Sequence, residues 1–159
     1  MALQAGGTVL RLGLVYGDRG GGMFGNLRQV VRTSRFVPVI GDGKTPQYLL
    51  NERALGHVVR CAVRGGFSGE IDPITVAHPQ PVQFRDVLLH IAGEESRPIS
   101  LIPVPWTILY AVLWSAEQLG LRLKFRSDSV LSFVYQNDAL DFVGIRKLGI
   151  DPSSFETIR

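Results

Sequence analysis

The stretch Thr8-Val9-Leu10-Arg11-Leu12-Gly13-Leu14-Val15 constrains this chain more than any other. Apolar residues run through it almost without a break, where a half-exposed strand would alternate polar and apolar. Such runs belong to strands of parallel sheets covered on both faces. A parallel sheet needs helical crossovers, so the rest of the chain must supply helices alternating with further strands.

The sequence predicts that alternation. Gly20-Gly21-Gly22 is a loop, and Phe24, Leu27, Val30 and Val31 then recur as the apolar stripe of a helix. Phe36 to Ile40 is a short strand closed by the Gly41-Asp42-Gly43 turn. Asn51 caps a helix from Glu52 to Val63, with Leu55, Val58, Val59 and Ala62 inward and Gly65-Gly66 as the stop. Ile71 to Ala77 is the next strand, and Pro81 to Ala92 a helix with Phe84, Val87, Leu88 and Ile91 inward and Gly93 at its end. Ser100 to Pro103 is a brief strand or an extended link. Pro105 opens a helix through Trp106, Leu109, Leu113, Ala116 and Leu119 to Gly120, with Trp106 and Trp114 in a core or an interface. Ser127 to Tyr135 is a shorter helix, and Asp151 to Ile158 holds a last turn or two. The fold class is α/β, with neither internal repeat nor low-complexity tract.

Composition narrows the function classes. At 159 residues, 45% apolar and 19% charged, the chain can bury a core and is no disordered tail. The net charge of +3 comes from scattered arginines, never a run of five, which argues solvated helix faces and no nucleic-acid surface. Cys61 is the only cysteine, so no internal disulfide can form; its apolar neighbours predict a buried thiol, and a reducing cytoplasm is the expected compartment. Met1-Ala2-Leu3-Gln4 lacks the basic start of a signal peptide, and Ile99 to Leu123 is too interrupted to span a bilayer.

The order of several motifs resembles the extended short-chain dehydrogenase/reductases, the NAD(P)-dependent epimerase/dehydratase family. Arg11-Leu12-Gly13-Leu14-Val15-Tyr16-Gly17-Asp18 is similar to that family's Arg-Pro-x-x-Val-Tyr-Gly-Pro, and Val37-Pro38-Val39-Ile40-Gly41-Asp42-Gly43 to its Pro-Val-x-Gly-Asp-Gly. Leu49-Leu50-Asn51-Glu52-Arg53-Ala54-Leu55 stands where the family has Val-x-Val-x-Asp-x-Ala. Ile71 to Ala77 takes the place of the last sheet strand, Pro81-Val82-Gln83-Phe84 that of the helix opening the substrate lobe, and Lys147-Leu148-Gly149-Ile150-Asp151-Pro152 resembles the closing Lys-Leu-Gly-Phe-x-Pro. Leu12 and Asp18 depart from prolines. Arg53 falls where the family carries an aspartate that caps the helix, so either Asn51 takes over the cap or the strand is shifted.

The resemblance implies the C-terminal portion of a Rossmann-like NAD(P)-binding fold, its last sheet strands, plus a small, mostly helical substrate-binding lobe. It makes 1–159 a single partial domain, with 8–17 and 52–77 from the sheet and 23–50 and 81–159 from the substrate lobe. The family's chemistry needs Tyr-x-x-x-Lys, and here Tyr16, Tyr48, Tyr110 and Tyr135 are followed four on by Gly20, Glu52, Trp114 and Ala139. The Gly-x-x-Gly-x-x-Gly phosphate cradle is missing too. His57, His78 and His90 lack ligand spacing, so no metal is expected, and Glu94-Glu95 and Asp138 with Asp141 read as solvated turns. No residue is assigned a catalytic role.

By resemblance, Leu14, Val15 and Tyr16 border the nicotinamide. Phe24, Asn26, Arg28, Val39, Gly41 and Gln47 line the substrate side, and Arg28 is the candidate for a phosphate, or else a solvated helix arginine. NAD or NADP belongs to a full-length parent, none to this portion alone. The expected partner is a small molecule such as a nucleotide sugar, with self-association through the uncovered edge of the first strand and no nucleic acid or membrane. Two alternatives stand: a non-catalytic module binding a ligand or a protein, and a peripheral protein laying Pro105 to Arg126 on acidic lipid.

Overall fold

A computed structural model describes residues 8–17, 21–67, 72–121, 126–135 and 140–158, in two compact units. Asp18, Gly20, Ile71, Arg122, Lys124 and Asp138 lie outside the described residues. The first unit falls within 1–25, 47–82 and 139–159, the second within 26–46 and 83–138.

In the first unit the opening run forms two strands, Leu10–Leu12 (β1) and Leu14–Tyr16 (β2), interrupted at Gly13. Helix Gly22–Thr33 (α1) follows, then strands Phe36–Ile40 (β3) and Pro46–Gln47 (β4), the second where the chain re-enters this unit. Strand Leu49–Asn51 (β5) leads directly into helix Glu52–Val63 (α2), and Ile74–Val76 forms β6. Two pairs here are parallel: β1 with β6 in the register Leu10↔Ile74 and Leu12↔Val76, and β2 with β5 in the register Leu14↔Leu49 and Tyr16↔Asn51.

Gly13 is the branch point. Its N–H donates to Val76 O at 3.0 Å while the next N–H, of Leu14, donates to Tyr48 O at 2.7 Å. The two partner strands are themselves joined by His78 N–H to Leu49 O at 2.7 Å. A β-carbon at position 13 would overlap the Tyr48 carbonyl oxygen and stand 2.8 Å from Ala77 Cβ.

Burial corrects the expectation of a strand covered on both faces. Ile74 and Val76 are 1% and 0% exposed, whereas Leu12 is 47% exposed and Arg11 points to solvent. Val9 O and Gly13 N–H serve the ladder to β6, so Leu10 and Leu12 turn their backbone groups to the opposite edge. Among the described residues no strand pairs with β1 on that edge. Arg11 at the strand's centre is the kind of charge that protects an exposed edge from indiscriminate pairing.

Asn51 settles the capping question for α2: its Oδ1 accepts from Arg53 N–H at 2.8 Å, and Gly65, at φ 81°, turns the chain out of the helix. Leu50, Val58, Phe67, Ile74, Val76, Ile145 and Phe155 form the core of this unit. Cys61 is half-buried against that core, short of full burial, because its Sγ lies toward the exposed His57, 3.7 Å from Nε2. The closing segment holds a helix the sequence does not announce, Val143–Lys147 (written α6 below), which packs on β6, and a 3₁₀ turn at Pro152–Ser154.

In the second unit β3 runs parallel to Ser100–Val104, with Phe36↔Ser100 and Ile40↔Val104 in register. Helix Phe84–Glu94 (α3) buries Val87, Leu88 and Ile91 completely. It starts later than Pro81, because Val82–Gln83 is extended and Phe84 N–H bonds Thr45 O at 3.0 Å. It also runs past Gly93 to Glu94, and the chain turns out of it at Ser96, φ 50°, where Arg97 N–H returns to Ala92 O at 2.9 Å. Glu94 and Glu95 are no free turn carboxylates: Arg28 Nη2 meets Glu94 Oε2 at 2.6 Å and Arg32 Nε meets Glu95 Oε2 at 2.6 Å, tying α1 to α3. In sequence order, Val82–Gln83 is β7 and Ser100–Val104 is β8.

Pro105 caps the helix Trp106–Gln118 (α4) from outside, its ψ of 133° being extended, and Ser127–Val134 (α5) packs against α4. The joint is electrostatic as well as apolar, since Glu117 accepts from Ser127 N–H and from Ser127 Oγ, each at 2.8 Å. The Ser127 N–H and hydroxyl, with Arg126 nearby, hold the Glu117 carboxyl below its ordinary value of 4.5. A depressed carboxylate contributes stability above its unfolded value and loses it as pH falls through the folded one. Thermal melts between pH 7 and pH 3 should therefore lose a component below about pH 4.5 that Glu117→Gln removes. Superimposable profiles for the two proteins would sink this.

Candidate functional site

In open α/β sheets ligands bind beyond the carboxyl ends of parallel strands. The pair β2 and β5 ends in Tyr16 and Asn51, directly opposite in register, and α2 starts at the next residue. At this corner lies an open cavity of about 250 Å³, lined by Asn51, Arg53, Ala54 and His57 from the strand end and first turns of α2 and by Ser154, Phe155 and Glu156 from the closing segment.

Local chemistry sets each wall. Asn51 must be a short polar residue to cap α2, and its amide serves three neighbours: Arg53 N–H on Oδ1, Glu156 Oε2 at 3.3 Å from Nδ2, and the Tyr16 hydroxyl. Arg53 and His57, four apart, share one face of the helix. Asp151 organises the opposite wall, its Oδ1 accepting from Ser153 N–H at 2.9 Å and its carbonyl from Ser154 Oγ at 2.6 Å. The Ser153 contacts keep the Asp151 carboxyl below the ordinary carboxylate range.

Burial raises the Tyr16 phenol above 10.0, opposed by the Asn51 hydrogen bond and reinforced by Glu156. Tyr16 is therefore a neutral hydroxyl at physiological pH, a hydrogen-bonding group and no base. The corner offers a carboxylate acceptor beside an amide, a phenol, a guanidinium and an imidazole. That mixture suits a ligand bearing hydroxyls, each of which both donates and accepts.

The residues expected to line a site are distributed between the units. Leu14, Val15, Tyr16, Phe24 and Gln47 belong to the first, where the rings of Tyr16 and Phe24 lie 5.9 Å apart and Val15 packs on the core. Asn26, Arg28, Val39 and Gly41 belong to the second, with Val39 inside β3 at 2% exposure and Gly41 in the turn after it at φ 57°. Arg28 is committed to Glu94 and Glu95. Arg53 and His57 could have been singled out from their four-residue spacing on the expected helix. Glu156 could not, because its partner Asn51 is 105 residues away.

At Gly17, the residue after β2, the surroundings do not suit a phosphate. Glu52 fills the space beside Gly17, its Oε2 standing 2.6 Å from where a β-carbon would be, and a carboxylate there repels phosphate. Among the described residues no three His, Cys, Asp or Glu side chains gather as metal ligands. No helix among them is long and apolar enough to cross a membrane.

Comparison with solved structures places the fold. GDP-mannoheptose C4 reductase from Campylobacter jejuni with NADP bound aligns with 91% of this chain and 48% of its own, at 11% identity and a TM-score of 0.50. dTDP-glucose 4,6-dehydratase from Bacillus anthracis str. Ames in complex with NAD aligns with 86% of this chain and 49% of its own, at 12% identity and a TM-score of 0.50. The fold is a partial Rossmann-like α/β fold. At these identities the likeness extends to fold alone, and the chain spans about half the length of each of these enzymes. No protein-family model matches the sequence, and no curated protein matches it.

Proposed function

We propose that this chain is the C-terminal, substrate-binding part of an NAD(P)-dependent nucleotide-sugar epimerase/dehydratase-like oxidoreductase, without turnover of its own. The observation that carries the reading is the polar cavity at the carboxyl end of β5, bounded by Asn51, Arg53, His57 and Glu156, with the Tyr16 hydroxyl hydrogen-bonded to Asn51 behind it. The ordered motifs and the partial Rossmann-like fold support it. Glu156 and Asn51 take sugar hydroxyls, Arg53 on the cavity wall takes a phosphate contact, and Arg28 is the second candidate for one. The nicotinamide dinucleotide is bound by the rest of the parent protein, with Leu14, Val15 and Tyr16 at its border. The single partial domain and the lining roles of Phe24, Asn26, Val39, Gly41 and Gln47 stand as parts of the same proposal.

Amide NMR with UDP-hexose and with NAD as separate probes tests this. UDP-hexose should shift Asn51, Arg53 and His57, NAD should shift nothing, and Arg53→Ala should weaken binding about tenfold, the equivalent of one charge-assisted hydrogen bond. Shifts confined to other residues, no shift at all, or nicotinamide turnover by the chain alone would each overturn the proposal.

A further inference from the structure

Helix α2 carries a glycine that packing does not require. Gly56 stands in the interior of the helix and has no positive φ. Among the described residues a β-carbon there would meet one atom beyond the helix backbone within 4 Å, Arg60 Nη1 at 3.6 Å. Glycine costs a helix interior about 1 kcal/mol against alanine, so a bare position with open space points to something that approaches the helix from outside. Basic side chains gather around it. Arg53, Gly56, His57 and Arg60 share one face of α2, and the three side chains are exposed. Arg60 folds back over Gly56, which brings its guanidinium within a turn of Arg53. Among the described residues no carboxylate pairs with Arg60, whereas Arg28, Arg32 and Arg85 of the second unit each meet one. The one carboxylate of α2, Glu52, stands beside Gly17.

We propose that Arg53, Gly56 and Arg60 form a notch for a diphosphate, opening off the cavity beside Asn51. The assignment rests on the reading of that corner as a nucleotide-sugar site, and adds which residues hold the phosphates. Two guanidiniums a turn apart across a bare position match two phosphates joined through one oxygen, each planar fork taking the oxygens of one phosphate. Glu156, 3.3 Å from the Asn51 amide nitrogen, keeps the strand end of the cavity for hydroxyls and repels phosphate toward α2, where Arg53 and His57 line the wall. The His57 ring can add one N–H to the same ligand. Sequence resemblance set the phosphate contact in the substrate lobe, at Arg28. The notch sets it instead on the helix that follows β5 in the first unit. A methyl group at position 56 still clears Arg60, but a longer side chain displaces the guanidinium and closes the notch.

Amide NMR of the full chain with inorganic pyrophosphate at fixed ionic strength tests the notch apart from the sugar, and UDP-hexose tests the two together. Pyrophosphate should shift Gly56, His57 and Arg60, and orthophosphate should bind about tenfold more weakly, since it reaches one guanidinium. Arg60→Gln should weaken pyrophosphate and UDP-hexose about tenfold each, the scale of one charge-assisted hydrogen bond. Gly56→Leu should do the same, although leucine favours the helix. Arg64→Gln removes the same charge one turn further along the exposed side of α2, and should change neither affinity. Circular dichroism checks that each variant folds. Pyrophosphate bound at these residues without any binding of UDP-hexose keeps the notch and overturns the sugar reading of the corner. UDP-hexose bound at Asn51 with full affinity in Arg60→Gln overturns the notch and keeps that reading. Equal losses from Arg60→Gln and Arg64→Gln, the mark of diffuse attraction to a basic face, overturn the notch, and so does pyrophosphate that shifts no amide of α2.

Discussion

Gly13→Ala should destabilise the chain by about 3 kcal/mol, although it adds one carbon to one residue. The added β-carbon overlaps the Tyr48 carbonyl oxygen and approaches Ala77 Cβ at 2.8 Å. Tyr48 is met at its backbone, so no rotamer change relieves the overlap. Overpacking of this kind costs about 1–3 kcal/mol, and pushing the strands apart also weakens two backbone hydrogen bonds worth about 1 kcal/mol each. Those are Gly13 N–H to Val76 O and Leu14 N–H to Tyr48 O. The loss is a large part of the 5–15 kcal/mol that holds a typical domain. Because the first carbon does the damage, Gly13→Val should be only modestly worse. Gly93→Ala is the control, since nothing lies within 4 Å of a β-carbon there and the residue sits inside α3. It should stabilise by about 0.5–1 kcal/mol through helix propensity. Urea unfolding of the three variants decides the matter; equal midpoints for Gly13→Ala and the parent protein would refute the branch-point role.

The same glycine marks the limit of what the sequence made legible. Continuity of apolar residues through Thr8 to Val15 identified a parallel strand, and the Asn51 cap, the α2 helix and the β3 strand follow from equally local signals. These are set by neighbours in the chain, so periodicity and capping chemistry reach them. The split at Gly13 depends on Tyr48 and Ala77, the end of α3 on a left-handed Ser96 where Gly93 looks the better stop, and the engagement of Glu94 and Glu95 on arginines over sixty residues away. The candidate site divides in the same way. Tyr16 stands at the end of a recognisable strand, and Arg53 and His57 on a recognisable helix face. Glu156 reaches them only because the closing segment folds back on the first unit, a contact that local pattern does not encode.

Ile145 is the most deeply buried of the side chains that hold the closing segment on the first unit, with Pro152, Phe155 and Ile158 beside it in the chain. Ile145 is 0% exposed, packed in the cluster of Leu50, Val58, Phe67, Ile74, Val76 and Phe155, and it comes from a helix of only five residues. So short a helix has little stability of its own, and burial of its apolar residue must hold it in place. Ile145→Ala should cost about 2–5 kcal/mol, the transfer free energy of the lost carbons plus the cavity they leave, and should lower the melting temperature by roughly 10 °C. Val63→Ala, at a residue 83% exposed, should stay within about 0.5 kcal/mol of the parent. The effect should also travel. Ile145 O accepts from Ile150 N–H at 3.3 Å, just before the Asp151 turn that positions Ser154 and Glu156, so loosening α6 releases one wall of the cavity. In Ile145→Ala, amide exchange should quicken across 148–156 while α3 in the second unit keeps its protection. Uniform quickening in both units would mean that the wall is held by global stability and not by this anchor.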